Sequence, residues 1–202
     1  MDINYADIFL NTIDTQANAV SNLKNVLDFD VMENAAKTIA SCKGSIIVAG
    51  CGSSGTVAFR AMSVFNFIYR PTHCISLVDA PHGDFGMIRP GDIFMVFSKG
   101  GNTKEVVDAI PIAKKLGAFV MCVTEGKDSK AALMSDLAII SNSGHECDGG
   151  LEMVATTSTT ASMVIVDALA MAVMKKNNIG PREFALIHPG GAVGDMLKDV
   201  EV

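Results

Sequence analysis

Five short apolar runs, separated by segments with helical periodicity, constrain the fold of this chain more than any other feature. The runs cover residues 45–49, 74–78, 93–98, 119–124 and 137–141. They lack the alternation of polar and apolar residues seen in half-exposed strands, so each is expected to be buried on both faces, as in a parallel sheet. Strands alternating with helices predict right-handed crossovers and a doubly wound α/β fold, flavodoxin-like or Rossmann-like, with a five-stranded parallel sheet.

The 202 residues are interpreted as a single domain, because compact domains run to roughly 100–200 residues and neither a repeat nor a linker interrupts the sequence. Residues 3–43 carry apolar side chains at helical spacing and predict extra N-terminal helices. The α/β core is expected over 44–178 and includes a long helix at about 157–176. A C-terminal segment, 180–202, carries the sequence His-Pro-Gly-Gly.

Composition and charge limit the partners of the chain. A net charge of −6 without a basic cluster argues against a nucleic-acid partner. The apolar stretch 155–174 contains several hydroxyl residues and Asp167, so it predicts a core helix and no membrane contact. The five cysteines are scattered and odd in number, and the N-terminus lacks the pattern of a signal peptide, which together predict reduced thiols in the cytoplasm. Cysteines and histidines show no metal-ligand spacing, so neither a metal nor another cofactor is expected.

The first predicted strand runs into a glycine-rich loop, Gly-Cys-Gly-Ser-Ser-Gly at 50–55, which is followed by a helix. Glycine lets the backbone approach a ligand closely, and the free N–H groups of a helix N-terminus favour an anion. Gly52, Ser53 and Ser54 are therefore candidate phosphate-binding residues. The loop also fits the G-x-G-x-x-G dinucleotide pattern, with Asp79 expected at the end of the second strand. A tight turn without a ligand is a further interpretation.

Two more loops rich in hydroxyl groups follow along the chain. The loop after the third strand, 98–103, again combines glycine with polar side chains at a helix start, and its lysine could neutralise a phosphate as a point charge. Five consecutive hydroxyl residues at 156–160 precede the long apolar helix and exceed what helix capping needs. We expect a compact phosphorylated ligand between these loops. The binding candidates are Ser98, Lys99, Gly100, Asn102, Thr103, Thr157, Ser158 and Thr159.

The order and spacing of these motifs resemble the sugar isomerase (SIS) domain, and within it the D-arabinose 5-phosphate isomerase family, over about residues 43–194. Further landmarks are His-Gly-Asp-Phe-Gly-Met at 82–87 and His-Pro-Gly-Gly-Ala-Val-Gly at 188–194. The resemblance implies a sugar phosphate bound on the serine and threonine loops. It also implies a homo-oligomer, a dimer or tetramer, in which His188 serves a neighbouring subunit.

The sequence departs from that family at three loop positions. Ser53 stands where the family usually has lysine, and Gly100 and Asn102 stand where it usually has serine and glutamate. Family members often continue into a pair of CBS modules, which these 202 residues do not contain.

An aldose–ketose isomerase moves a proton between adjacent carbons through an ene-diol, which needs a base of near-neutral pKa and a fixed phosphate. Imidazole meets the first need, and His188 is the first candidate because a glycine-rich turn is seldom a core position. His82 is the second. Glu152 or Glu146 is expected to supply a carboxylate.

Two other functions stay open on the sequence alone. A sugar-phosphate sensor or binding module needs the loops but not the acid–base groups, which fits the departures at Ser53 and Asn102. A nicotinamide-dependent oxidoreductase depends on the glycines at positions 50, 52 and 55 and on Asp79.

Overall fold

A single parallel sheet of five strands forms the centre of the protein, in a computed structural model that describes residues 3–200. The strand order is β2-β1-β3-β4-β5, and every neighbouring pair is parallel. The strands are β1 Ile46–Gly50, β2 Thr72–Cys74, β3 Ile93–Phe97, β4 Phe119–Thr124 and β5 Leu137–Ile140. This order confirms the doubly wound sheet. It reverses direction between β1 and β3, the place where ligands of such sheets bind beyond the carboxyl ends of the strands.

Eight α-helices surround the sheet and include the two extra N-terminal helices that the sequence predicts. They are α1 Tyr5–Val26, α2 Phe29–Ser41, α3 Ser53–Phe67, α4 Lys104–Lys115, α5 Lys130–Met134, α6 Thr157–Lys176, α7 Pro181–Ile187 and α8 Gly191–Met196 within residues 3–200. Helix α6 packs against α1, α2 and α3, whereas α4 packs against α5. The sheet is thus covered on both faces.

Alternate residues of each central strand point into two separate apolar clusters. Ile46 and Val48 of β1 lie in the cluster shared with α2, α3 and α6, and Ile47 and Ala49 lie in the cluster shared with α4. All four side chains are fully buried. Burial on both faces explains why the strands lack polar alternation.

The second strand differs from its prediction at 74–78. Thr72 to Cys74 pair with Ile46 to Val48 of β1, and after Ile75 donates its N–H to Val48 O at 3.0 Å the chain leaves the sheet. The residues that follow are apolar because Ile75 and Leu77 fill a core cluster, not because they extend the strand. Asp79 consequently stands before a short 3-10 turn, Ala80–His82, and not at a strand end.

Helix α6 has the length and apolar composition of a membrane span, but it is a core helix, as the sequence predicts. Ile165, Val166 and Leu169 are buried in the cluster between α6 and the sheet. Asp167 in its middle accepts two hydrogen bonds from Arg60 of α3, at 3.0 and 2.9 Å. Such a two-point pair fixes the orientation of both helices.

Candidate functional site

A small polar cavity of about 30 Å³ lies at the carboxyl edge of the sheet. It lies where β3, β4 and β5 end and where α3 and α6 begin, so three strand ends and two helix N-termini converge on it. Its polar lining consists of Ser54, Ser98, Lys99, Thr124, Glu125, Ser141, Ser158, Thr159 and Ser162.

The glycine loop after β1 contributes one of its three predicted residues to this cavity. Ser54 lies in the lining, whereas Ser53 is exposed at the start of α3 and Gly52 lines a shallower groove beside β2. Gly50 is required because a Cβ atom there would lie 2.5 Å from Ser54 O. This close approach places the N-terminus of α3 directly at the end of β1.

The loop after β3 places two predicted residues in the lining and uses the others to hold its shape. Ser98 and Lys99 line the cavity, and Thr103 Oγ1 lies 3.1 Å from Ser98 Oγ. Asn102 turns outward. Its amide donates to Gly100 O at 3.0 Å, and its Oδ1 accepts from the Lys130 N–H at the start of α5. Gly100 and Asn102 therefore shape this loop and do not line the cavity.

The hydroxyl residues at the start of α6 divide in the same way. Ser158 and Thr159 line the cavity. Thr157 is buried away from it, with its Oγ1 3.2 Å from Cys147 Sγ. Two of these three hydroxyl groups thus face the cavity and the third faces Cys147, because successive positions of a helix point about 100° apart.

Glu146 does not line the cavity but bonds directly to two residues that do. Its side chain is buried and caps α6: Oε2 accepts the backbone N–H of Thr156 at 2.8 Å and of Thr157 at 2.7 Å. Oε1 accepts from the Ser158 hydroxyl and from Lys99 Nζ, the latter at 2.7 Å. Burial by itself raises the pKa of this carboxyl, but the bonds from Lys99, Ser158 and Thr156 outweigh it and bring the pKa to about 2. The carboxylate is therefore ionised at any pH where the protein would work.

Glu152 supports Glu146 from an irregular loop. Its Oε2 accepts the Glu146 N–H at 3.3 Å, and its Oε1 lies 2.9 Å from His145 Nδ1. The loop is held by Asp148, which accepts the N–H groups of Glu152, Met153 and Val154. These backbone donors, that of Val154 first, lower the pKa of Asp148 to about 2. Of the two carboxylates predicted from the sequence, Glu146 hydrogen-bonds to the cavity-lining residues Lys99 and Ser158, whereas Glu152 lies 3.9 Å from Lys99 Nζ.

The two candidate histidines lie outside the cavity lining. His82 is exposed in the 3-10 turn Ala80–His82 that follows β2. His188 stacks on Phe184 with ring centroids 4.2 Å apart and meets Phe67 edge-on at 5.0 Å. Phe67 ends α3 and Ser53 begins it, so about 21 Å of helix separates His188 from the cavity end of α3. His188 does not line the cavity of its own chain.

Four polar residues of the cavity lining are absent from the sequence-based candidates: Thr124, Glu125, Ser141 and Ser162. Thr124 Oγ1 donates to Lys99 O at 2.9 Å, and Glu125 accepts the Ser143 N–H at 3.0 Å. Thr124 and Ser141 could have been found, since each is the first polar residue at the end of a predicted strand, where ligands of parallel sheets bind. Ser162 follows Ser158 by four residues, the spacing that shares a helix face.

The buried carboxylate predicts a specific acid sensitivity. An unfolded glutamate has a pKa near 4.5, and folding lowers that of Glu146 to about 2. The folded state is therefore stabilised above pH 4.5, by about 3 kcal/mol, and loses this contribution as the pH falls from 4.5 towards 2. We expect the unfolding free energy of wild type to fall more steeply in this range than that of Glu146→Gln, measured by denaturant titration at several pH values.

Glu33→Gln is the matched control for that measurement, because Glu33 forms an exposed i,i+4 pair with Lys37 on α2. Exposed pairs add little to stability. The unfolding free energy of Glu33→Gln should therefore fall between pH 4.5 and 2 as steeply as that of wild type. If the unfolding free energies of wild type and Glu146→Gln fell equally steeply with pH in this range, the assigned ionisation of Glu146 would be wrong.

Comparison with known proteins identifies a family and relatives that this chain resembles. The family model of the SIS domain matches residues 38–172. Arabinose 5-phosphate isomerase KpsF of Escherichia coli is 34% identical over 187 residues, which are 92% of this chain and 57% of that protein. The chain thus spans little more than half the length of this curated relative.

Two solved structures share the fold over nearly the whole chain. A Listeria monocytogenes protein, described as a candidate sugar-phosphate isomerase, is 37% identical with a TM-score of 0.90 and coverage of 94% of this chain and 100% of that one. A protein of E. coli CFT073, solved in complex with arabinose 5-phosphate, is 26% identical with a TM-score of 0.87 and coverage of 93% and 100%.

Proposed function

Because the chain belongs to the SIS domain family, we propose that it is an isomerase that interconverts an aldose phosphate and a ketose phosphate through an ene-diol. The observation that carries the proposal is Glu146, a buried carboxylate bonded to both Lys99 and Ser158, two residues that line the cavity. An ionised carboxylate beside hydroxyl-rich loops can accept hydrogen bonds from sugar hydroxyls and orient them. The names of the relatives make arabinose 5-phosphate the first sugar to test.

The phosphate is proposed to bind at the loop after β3. Ser98 and Thr103 present hydroxyl groups there, and Lys99 supplies the positive charge. Ser158 and Thr159 at the N-terminus of α6 would then contact the sugar, since they line the same cavity. Fixing the phosphate at one end holds the reacting carbons in place for proton transfer.

Proton transfer between the carbons is assigned to an imidazole, whose pKa suits a base that must also return the proton. His188 of a neighbouring copy is the first candidate, because His188 cannot reach the cavity of its own chain. His82, exposed beyond β2, is the second. Glu146 then orients a substrate hydroxyl. Glu152 positions Glu146 by accepting a hydrogen bond from the Glu146 backbone N–H.

A homo-oligomer is part of the proposal. The N-terminal half of α1 exposes an apolar surface that includes Ile8, Phe9, Leu10 and Ile13, each more than half exposed. Contiguous apolar surface of this kind marks interaction sites, and a second copy, as a dimer or tetramer, would both cover it and supply His188. The five free cysteines support a reducing compartment, the cytoplasm.

Hydrogen exchange in D₂O tests the proposed reaction. Wild-type protein is incubated with a panel of pentose and hexose phosphates, arabinose 5-phosphate first, and the sugars are examined by NMR. We expect deuterium at C1 or C2 of one sugar, because an ene-diol exchanges its carbon-bound proton with solvent. Glu33→Gln should exchange at the wild-type rate. Saturable binding of a sugar with neither deuterium exchange nor conversion between aldose and ketose would instead make the protein a binding module.

A further inference from the structure

Lys99 supplies the only positive charge that lines the cavity within residues 3–200, and this charge faces carboxylates. Its Nζ lies 2.7 Å from Glu146 Oε1 and 3.9 Å from Glu152 Oε2. Glu125, also in the lining, adds a third negative charge near it. Burial lowers the pKa of Lys99, but these carboxylates, Glu146 above all, outweigh that effect and raise it. An entering phosphate therefore meets an ammonium that is already paired.

The backbone of Lys99 is fixed, and its side chain is the part that can move. Its carbonyl oxygen accepts the Glu125 N–H at 2.8 Å and the Thr124 hydroxyl at 2.9 Å, which ties the residue to the end of β4. The side chain is about one-third exposed. Lysine has a long flexible stem with three rotatable donors, so its ammonium can change partner without a change in the loop.

The pair between Lys99 and Glu146 joins two walls of the cavity. Lys99 belongs to the loop after β3, and Glu146 holds the N-terminus of α6, where Ser158 and Thr159 form the opposite wall. The cavity measures about 30 Å³, whereas small-molecule sites measure roughly 300–1,000 Å³. A sugar phosphate therefore needs more room than this cavity gives, and the Lys99–Glu146 bond is a contact that holds its two walls together.

We propose that Lys99 is a phosphate-responsive latch, whose ammonium leaves Glu146 for the phosphate of an entering sugar phosphate and so frees one oxygen of Glu146 for the substrate. The latch rests on the proposed function, because it takes a sugar phosphate as the ligand. Glu146 would not be left as a bare buried charge, since the N–H groups of Thr156 and Thr157 and the Ser158 hydroxyl still bond to it. Losing the ammonium also makes the carboxylate more basic, at the moment when substrate is present.

The latch predicts opposite effects of two substitutions on phosphate affinity. Inorganic phosphate and arabinose 5-phosphate are titrated by calorimetry at fixed ionic strength. Lys99→Ala should weaken binding by about 10-fold or more, the usual worth of a charge-assisted hydrogen bond. Glu146→Gln should strengthen the binding of inorganic phosphate by roughly 3–10-fold, because the competitor for the ammonium is neutralised.

The double variant separates a latch from simple charge repulsion. If Glu146 weakens binding only by repelling phosphate, Glu146→Gln strengthens binding equally in the wild-type and Lys99→Ala backgrounds. If it competes for Lys99, the gain disappears in the Lys99→Ala background. Equal gains in both backgrounds, or wild-type phosphate affinity in Lys99→Ala, would overturn the proposal.

Controls address folding and nonspecific charge. Lys37→Ala removes the same charge from α2, outside the cavity lining, and should leave phosphate affinity within about 2-fold of wild type. If Glu146→Gln does not fold, Glu152→Gln takes its place with a smaller gain, and the Glu146 carboxyl is followed by carbon-13 NMR in wild type. The resonance of this carboxyl at neutral pH should shift when phosphate saturates the protein, because the Lys99 ammonium leaves it; an unchanged resonance rejects the latch.

These outcomes are distinguishable from failure of the proposed function. If wild type exchanges deuterium into a sugar phosphate but Lys99→Ala binds phosphate normally, the latch is wrong and the isomerase proposal stands. If wild type binds neither inorganic phosphate nor any sugar phosphate, both are wrong.

Discussion

Replacing His188 with alanine is expected to reduce isomerase turnover by roughly 10²–10⁴-fold, the usual contribution of one acid–base group. Affinity for the sugar phosphate should stay near that of wild type, because phosphate binding is assigned to Ser98, Lys99 and Thr103 and not to His188. Conversion between aldose and ketose, followed by NMR, gives the turnover, and calorimetry gives the affinity. His73→Ala is the control, because His73 is an exposed histidine on β2.

Mixing two variants, each expected to lose turnover because it lacks one group assigned to the reaction, tests whether His188 acts across subunits. His188→Ala and Glu146→Gln subunits are unfolded together and refolded. In a symmetric dimer each mixed pair contains one site with an intact His188 and an intact Glu146, so about a quarter of wild-type activity should return. If His188 acts within its own chain, no mixed site is complete and no activity returns.

Replacing Gly101 with alanine is expected to lower both the stability of the protein and its affinity for phosphate. Gly101 has φ +64°, and a Cβ atom there would lie 2.0 Å from Ser129 Oγ and 2.9 Å from Thr124 Oγ1. Left-handed strain and overpacking together should cost about 2–5 kcal/mol. The clash also pushes the 98–103 loop off the end of β4, so phosphate affinity should fall by at least about 10-fold.

Gly100→Ala provides an adjacent control. A Cβ atom at Gly100 meets nothing within 4 Å, and its φ is not positive. Its melting temperature should stay within a few degrees of wild type, whereas that of Gly101→Ala should fall by roughly 5–15 °C. Equal melting temperatures for the two variants would show that the loop relaxes freely around position 101.

The sheet could be predicted because burial on both faces leaves a clear mark in sequence. Strands β1, β3 and β4 have continuous apolar runs whose bounds match the structure within a residue or so. The pattern fails at β2, where the apolar residues Ile75 and Leu77 are buried without strand pairing. A run of apolar residues indicates that the side chains are buried, but it does not indicate strand pairing. The hydrogen bonds to β1 decide where this edge strand ends.

The site could be predicted in part. Ser54, Ser98 and Lys99 follow strand ends, so strand prediction alone brings them together. The role of Glu146 depends on how the irregular segment between β5 and α6 folds back onto a helix N-terminus, and no periodicity describes such a segment. The packing of His188 against Phe67 is a long-range contact, which a pattern along the chain does not contain.

One carboxylate caps the longest core helix next to the cavity, and this couples two demands on evolution. Removing a donor of Glu146 makes it a stronger base in the resting protein, and its backbone donors, at Thr156 and Thr157, also hold the start of α6. Selection for faster chemistry and selection for tolerance of acid would therefore act on this residue in opposite directions. The Lys99 ammonium, which leaves Glu146 only when substrate binds, meets both demands. Proteins of this family from acidic surroundings should therefore retain the donors of Glu146 and vary the residues around Lys99.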